Sequence, residues 1–384
     1  MPDSFNVIVI GVGAMGASTC FHLARRRIKV LGLEQFDIPH TQGSSHGYTR
    51  MIRKAYFEHP NYVPLLHRAY ALWDELEAIS GRRILHRVGG VFMGPAGKTL
   101  VGGALAAAGL HHLPHELLTA DELRRRWPQF VVPDDWHAFF EPDSGFLLPE
   151  RAIATYAELA MRHGAEIHGQ EPVRLWKREG GHYVVSTDRG TYLAERLIFC
   201  GGAWSGKLLD QLGVHLKVTR QVLAWVWPKE PAQFELGQIP VWGIDSLDGG
   251  LYYGFPMIDE SPGFKLAHHL PTENAVDPDT VSRTPQPADR EGIRKILATF
   301  LPAADGPLLS LKTCLYTNTP DGHFIIDHYP DHPGVQIACG FSGHGFKFAS
   351  VIGAALADAS VTGEIDPDWD FLGLSRFAAV DGVG

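Results

Sequence analysis

An apolar run at residues 5–10 leads into Gly11-Val12-Gly13-Ala14-Met15-Gly16 and a helix-like stretch to residue 27. A second apolar run at residues 28–33 closes on Glu34. Strand, glycine turn, helix and strand in this order constrain the chain to a dinucleotide-binding βαβ unit. The turn formed by Gly11, Gly13, Ala14, Met15 and Gly16 lets a pyrophosphate approach a helix N-terminus. Glu34, eighteen residues past Gly16, stands where a carboxylate accepts hydrogen bonds from an adenosine ribose, which argues against a 2′-phosphate.

With 384 residues, 45% of them hydrophobic, the chain can bury a large core and is expected to form two domains. The net charge of −9 and scattered Lys and Arg leave no footprint for nucleic acid. Arg25-Arg26-Arg27 falls at a helix end, where it complements the dipole. Cys20, Cys200, Cys314 and Cys339 are too few and too spread for a disulfide scaffold or a metal site, so a reducing, cytoplasmic setting is expected. The twenty histidines are dispersed, His111-His112 lacks partners at ligand spacing, and no metal is expected. The apolar N-terminus has no basic leader and reads as no export signal. Residues 346–361 are interrupted by Lys347 and Asp358 and read as a packed helix, so no membrane contact is expected.

Helical periodicity runs over residues 62–79, with Val63, Leu66, Ala69, Leu72, Trp73 and Leu76 on one stripe before Gly81. From Gly89 short strands and turns are expected, then a capped helix over 119–127 and Pro-rich loops, as in an insertion. Residues 149–163 read as a helix, and 183–187 with 192–199 as a hairpin leading to Gly201-Gly202-Ala203-Trp204 and a helix over 204–212. Antiparallel strands are expected over 221–270, a helix over 289–300, then strand 335–338, a turn at Gly340 and a helix from Gly345. No internal repeat is visible.

Several blocks in one order carry a resemblance: Pro39-His40-Thr41 through Gly43-Ser44, His46-Gly47, Thr49-Arg50 and Ile52-Arg53; Tyr252-Tyr253-Gly254-Phe255-Pro256; Phe324-Ile325-Ile326-Asp327; and Gly340 through Phe348. By these the chain resembles, over nearly its full length, the monomeric sarcosine oxidase and N-methyltryptophan oxidase family of FAD-dependent amine oxidases. The implied fold class is α/β: a GxGxxG Rossmann-like FAD domain (1–85, 146–219 and 310–384) and an α+β substrate domain on a mostly antiparallel sheet (86–145 and 220–309).

The resemblance also implies roles. Cys314, in Cys314-Leu315-Tyr316-Thr317, would bind FAD covalently, with Arg50 lowering the thiol pKa. Arg50 and Arg53 lie three apart in an extended run and should leave on opposite faces. The first would lie against the flavin and the second would clamp the substrate carboxylate with Lys347. Ser44, His46, Thr49, Val173, Gly201, Trp204, Gly343, His344, Gly345, Phe346 and Lys347 complete the expected FAD contacts. Lys265 would be the oxygen-activating cation, placing positive charge where dioxygen gains negative charge. His269, four residues on along the same strand face, and Tyr253 would lie near the substrate amine, with Tyr316 lining the pocket. The loop departs from the family pattern at Ser45 and Tyr48, where histidine and aspartate are usual.

The implied reaction is oxidative demethylation of a secondary N-methyl amino acid, giving the primary amino acid, formaldehyde and hydrogen peroxide, with a small molecule and dioxygen as the partners of a monomer. Sarcosine and N-methyltryptophan lead. A cyclic imino acid, an amine dehydrogenase with a non-oxygen acceptor, a non-catalytic flavin-binding protein and a nicotinamide dehydrogenase stay open.

Overall fold

The computed structural model describes residues 2–377 apart from 96, 98, 210–211, 247–249 and 270–273. The strand Asp3–Ile10 buries its second half on both faces, as its continuous β-branched run requires of a central parallel strand. It pairs in parallel with Val30–Leu33 on one side and Thr191–Phe199 on the other. Glu166–His168 extends the sheet beyond Val30–Leu33.

Thr191–Phe199 forks. Residues 191–194 pair antiparallel with His182–Thr187, whereas 197–199 pair in parallel with Val335–Cys339. The expected hairpin is present and gains a third strand, Val173–Glu179. Helix Ala14–Ala24 is buried on all sides, because it lies beneath two other helices. One of them, Ala349–Thr362, comes so close at Gly353 that an added Cβ would meet Ser18. No single helix among the described residues is long and apolar enough to cross a membrane.

The second sheet runs Leu308–Asn318, Lys217–Val226, Phe264–His268, Leu251–Phe255, Val241–Asp245, Gly90–Pro95, Trp136–Glu141 and Glu116–Thr119. Every pairing is antiparallel except that of Val241–Asp245 with Gly90–Pro95. That parallel join splices residues 90–141 onto the sheet, so the expected insertion is an integral part of it. The boundaries expected at 219/220 and 309/310 fall inside paired strands of this sheet. Those at 85/86 and 145/146 fall inside the small sheet of Arg50–Ile52, Gly145–Leu147 and Leu85–Arg87. The two units therefore share strands.

Local chemistry accounts for the helices. Tyr62–Ser80 buries its apolar stripe and stops at Gly81, whose φ of 68° is left-handed. Thr119 and Glu122 form a reciprocal capping box, and Pro149 opens Pro149–Arg162. Helix Thr99–His111 was not expected: Gly102 and Gly103 hide it in the sequence, and Gly103 is small because Phe57 packs against it. The helix expected over 204–212 is the shorter Ser205–Leu208, with 210–211 outside the described residues.

Candidate active site

Between the two sheets lies an elongated cavity of about 540 Å³. One end is the glycine turn. Gly11 has φ of 92° and packs on the Cys200 carbonyl, and a Cβ at Gly16 would fall on the Gly11 carbonyl. Gly13 begins helix Ala14–Ala24 with no side-chain cap, leaving its first N–H groups for an anion. The buried Glu34 carboxylate accepts from Val12 N at 2.9 Å and Phe36 N at 3.0 Å. Burial raises its pKa, and these backbone bonds counter the rise. Val173, Gly201 and Trp204 line the same end, and Trp204 Nε1 donates to Asp279 at 2.6 Å.

The middle of the cavity is reached by Ser44, Arg50 and Cys314. Arg50 Nη2 donates to the Ser44 carbonyl at 2.6 Å and lies 3.7 Å from Cys314 Sγ. The guanidinium therefore lies beside the thiol. Opposite, Gly343 and Gly345 present bare backbone: Gly343 has φ of 80°, and side chains there would strike Tyr316 and Phe341.

Lys265, Thr49 and His46 are buried and do not reach the cavity wall; they form a layer behind Arg50. Lys265 Nζ donates to the carbonyls of Gly47 and Thr49, both at 2.7 Å, and to Thr49 Oγ1 at 3.1 Å. Burial lowers its pKa well below the ordinary lysine range, Arg50 adds to this, and Glu150 opposes it. Both ring nitrogens of His46 are buried without a partner among the described residues, and burial followed by Arg50 holds its pKa at about 2. Gly16 also lies behind the wall.

At the far end Arg53, Lys347, Tyr253, His269 and Tyr316 converge. Arg53 rests on the rings of Tyr56 and Phe57, 4.5 and 4.4 Å away. Lys347 Nζ donates to the His344 carbonyl at 2.7 Å and to Tyr56 Oη at 3.3 Å. Burial and then Arg53 lower its pKa to about 7, although Glu58 pulls the other way. His269 Nδ1 lies 3.1 Å from Tyr316 Oη, and the rings of Tyr253 and His269 meet edge to face. Burial lowers His269 to about 4, so its imidazole is neutral at neutral pH. Burial raises both phenols, which stay protonated.

Sequence reasoning missed Glu58 and Glu150. Glu58 binds Arg53 Nη2 with both oxygens. Its signal was available: an acid five residues after the arginine. Glu150 accepts from Gly47 N and Tyr48 N, across a separation that no local spacing encodes.

The residues fit a flavin dinucleotide. An uncapped helix start, a buried carboxylate at the second strand's end, bare glycine backbone and the unpartnered His46 ring lie around or just behind one cavity.

Comparison with known proteins bears on this geometry. A family model described as FAD dependent oxidoreductase matches residues 6–359. Monomeric sarcosine oxidase from Streptomyces avermitilis is 41% identical over 368 residues, covering 94% of this chain and 95% of that protein. N-methyl-L-tryptophan oxidase from Salmonella arizonae is 36% identical, covering 97% and 99%. The solved structure of NikD, an unusual amino acid oxidase essential for nikkomycin biosynthesis, superposes with a TM-score of 0.84 at 24% identity, covering 97% of each chain. That last likeness shows the fold alone.

Proposed function

Because this chain belongs to the FAD-dependent oxidoreductase family, we propose that it oxidises secondary N-methyl amino acids of the sarcosine or N-methyltryptophan type. The overall reaction balances as N-methyl amino acid plus dioxygen plus water, giving primary amino acid, formaldehyde and hydrogen peroxide. The single observation that carries this reading is the pairing of an Arg53 and Lys347 cation cluster with the neutral His269, Tyr253 and Tyr316 group along one cavity.

Bound FAD would supply the redox chemistry, a two-electron acceptor for the hydride equivalent of the N-methyl carbon that dioxygen can reoxidise. The protein's part is holding and orienting. Gly11, Gly13, Ala14, Met15, Glu34, Val173, Gly201 and Trp204 would take the adenosine and pyrophosphate. Ser44, Arg50, Cys314 and the 343–347 backbone would take the ring system, with covalent attachment at Cys314. Arg53 and Lys347 would hold the substrate carboxylate by charge-assisted bonds. With its imidazole neutral, His269 adds no positive charge beside the amine, and its bond to Tyr316 fixes the ring. Positioning would supply most of the catalysis.

In this reading residues 1–85, 146–219 and 310–384 serve the flavin, residues 86–145 and 220–309 serve the substrate, and the shared strands join them. The enzyme acts as a cytoplasmic monomer. The test is aerobic turnover with sarcosine and with N-methyltryptophan: one formaldehyde and one peroxide per oxygen consumed supports the reading, and neither product from either substrate refutes it.

A further inference from the structure

The loop 46–49 is gripped from two sides. The peptide group joining Gly47 to Tyr48 gives its carbonyl to Lys265 Nζ at 2.7 Å and its N–H to the Glu150 carboxylate at 3.2 Å. The preceding N–H, that of Gly47, reaches Glu150 Oε1 at 2.5 Å. One carboxylate and one ammonium are therefore connected through a single peptide dipole. Glu150 sits in the first turn of helix Pro149–Arg162, where the helix dipole favours a negative charge.

Among the described residues no carboxylate touches Lys265 directly. The ionisable groups around it are Arg50 on strand Arg50–Ile52, Glu150 on the helix, Lys312 and Cys314 on strand Leu308–Asn318, and His46 in the loop. The rings of Trp225 and Phe255 close the remaining side at 5.8 and 4.7 Å. Burial, Arg50 and Lys312 all work against the ammonium, and Glu150 does most to favour it.

We propose that Glu150 is a positioning residue for the oxygen half-reaction, fixing the place and the charge of the Lys265 ammonium through the Gly47–Tyr48 peptide. This rests on the reading of Lys265 as the oxygen-side cation. It also gives residue 48 a role independent of its side chain. What the loop uses there is the backbone N–H, while the Tyr48 side chain turns to Lys312, whose Nζ lies 3.3 Å from its hydroxyl. Gly47 and Tyr48 both have positive φ, at 96° and 69°. A non-glycine residue holds that conformation only against steric cost, and the carboxylate clamp offsets it.

The test compares the parent holoenzyme with Glu150→Gln, Glu150→Asp, Lys265→Met and the Gln/Met double variant. Two quantities are read across pH: flavin reoxidation by oxygen, and the titration midpoint of Lys265 from its isotope-labelled Cε resonance, assigned by its absence in Lys265→Met. In Glu150→Gln the midpoint and the alkaline limb of reoxidation both move to lower pH by about one unit, slowing reoxidation on that limb about tenfold. Anaerobic reduction changes less than about twofold, Asp falls between parent and Gln, and the double variant is no slower than Lys265→Met. An unmoved midpoint in Glu150→Gln, or in Glu150→Asp should the Gln variant not fold, overturns the proposal. Lys265→Met reoxidising at the parental rate would instead overturn the underlying reading of Lys265.

Discussion

Arg53 Nη2 lies 2.8 and 2.7 Å from the two carboxylate oxygens of Glu58, so the guanidinium that faces the cavity is already holding an acid from its own chain. Burial alone would raise the Glu58 pKa; Arg53, then His344 and Lys347, outweigh it and bring the carboxyl to about 2. A substrate carboxylate must therefore compete with Glu58 or share the cation with it.

Glu58→Gln should release that competition. A carboxylate that cannot be oxidised, such as propionate, is expected to bind about tenfold more tightly, measured by perturbation of the flavin spectrum. The same variant should melt lower, because a buried arginine is left without its counter-charge. Unchanged affinity would show that Glu58 does not stand in the carboxylate's way.

Lys347 sets a pH dependence whose sign follows from its pKa of about 7, lowered by burial and then by Arg53. Below that pH the free enzyme presents an ammonium to the ligand; above it, a neutral amine. Carboxylate affinity should thus be level below about pH 7 and weaken by up to about tenfold per unit above it. Lys347→Met should bind more weakly and lose the dependence. A parent profile flat from pH 6 to 9 would contradict the assignment.

Cys314 is buried, with its Sγ 3.7 Å from Nη2 of the Arg50 guanidinium. Acid-precipitated parent protein is expected to stay yellow, and Cys314→Ala to release its flavin into the supernatant. Release from both would remove the covalent link while leaving FAD binding intact.

Gly16→Ala should abolish FAD retention, because the new Cβ would fall on the Gly11 carbonyl at the closest helix and strand contact of the turn. Backbone would have to move, at a cost of about 3 kcal/mol. Flavin content of the purified variant checks this, and a parental ratio of flavin to protein would show that the turn is not under that constraint.

Where one side chain and its immediate neighbours decide the structure, the sequence could be read. Gly11 to Gly16 and Glu34 announced the first βαβ unit because a turn, a helix start and a strand end are local events. The stripe from Val63 to Leu76 announced its helix for the same reason. What remained hidden depends on long-range pairing. Strand Leu308–Asn318 belongs to the second sheet because it pairs along its length with Lys217–Val226, a partner some ninety residues away. Lys265 lies in the layer behind Arg50, since its direction is set by carbonyls of a loop more than two hundred residues earlier. Glu150 was invisible because its partners are backbone N–H groups, which no residue type marks.

In the proposed reaction the cavity binds an N-methyl amino acid by its carboxylate, with its N-methyl group at the flavin. Anaerobic titration of the purified holoenzyme with sarcosine and with N-methyltryptophan tests it most directly. Bleaching of the visible flavin band by one of them, lost or shifted at least about a hundredfold to higher substrate concentration in Arg53→Met, is the predicted result. A flavin band that neither substrate bleaches, in protein that is yellow and folded, would contradict it.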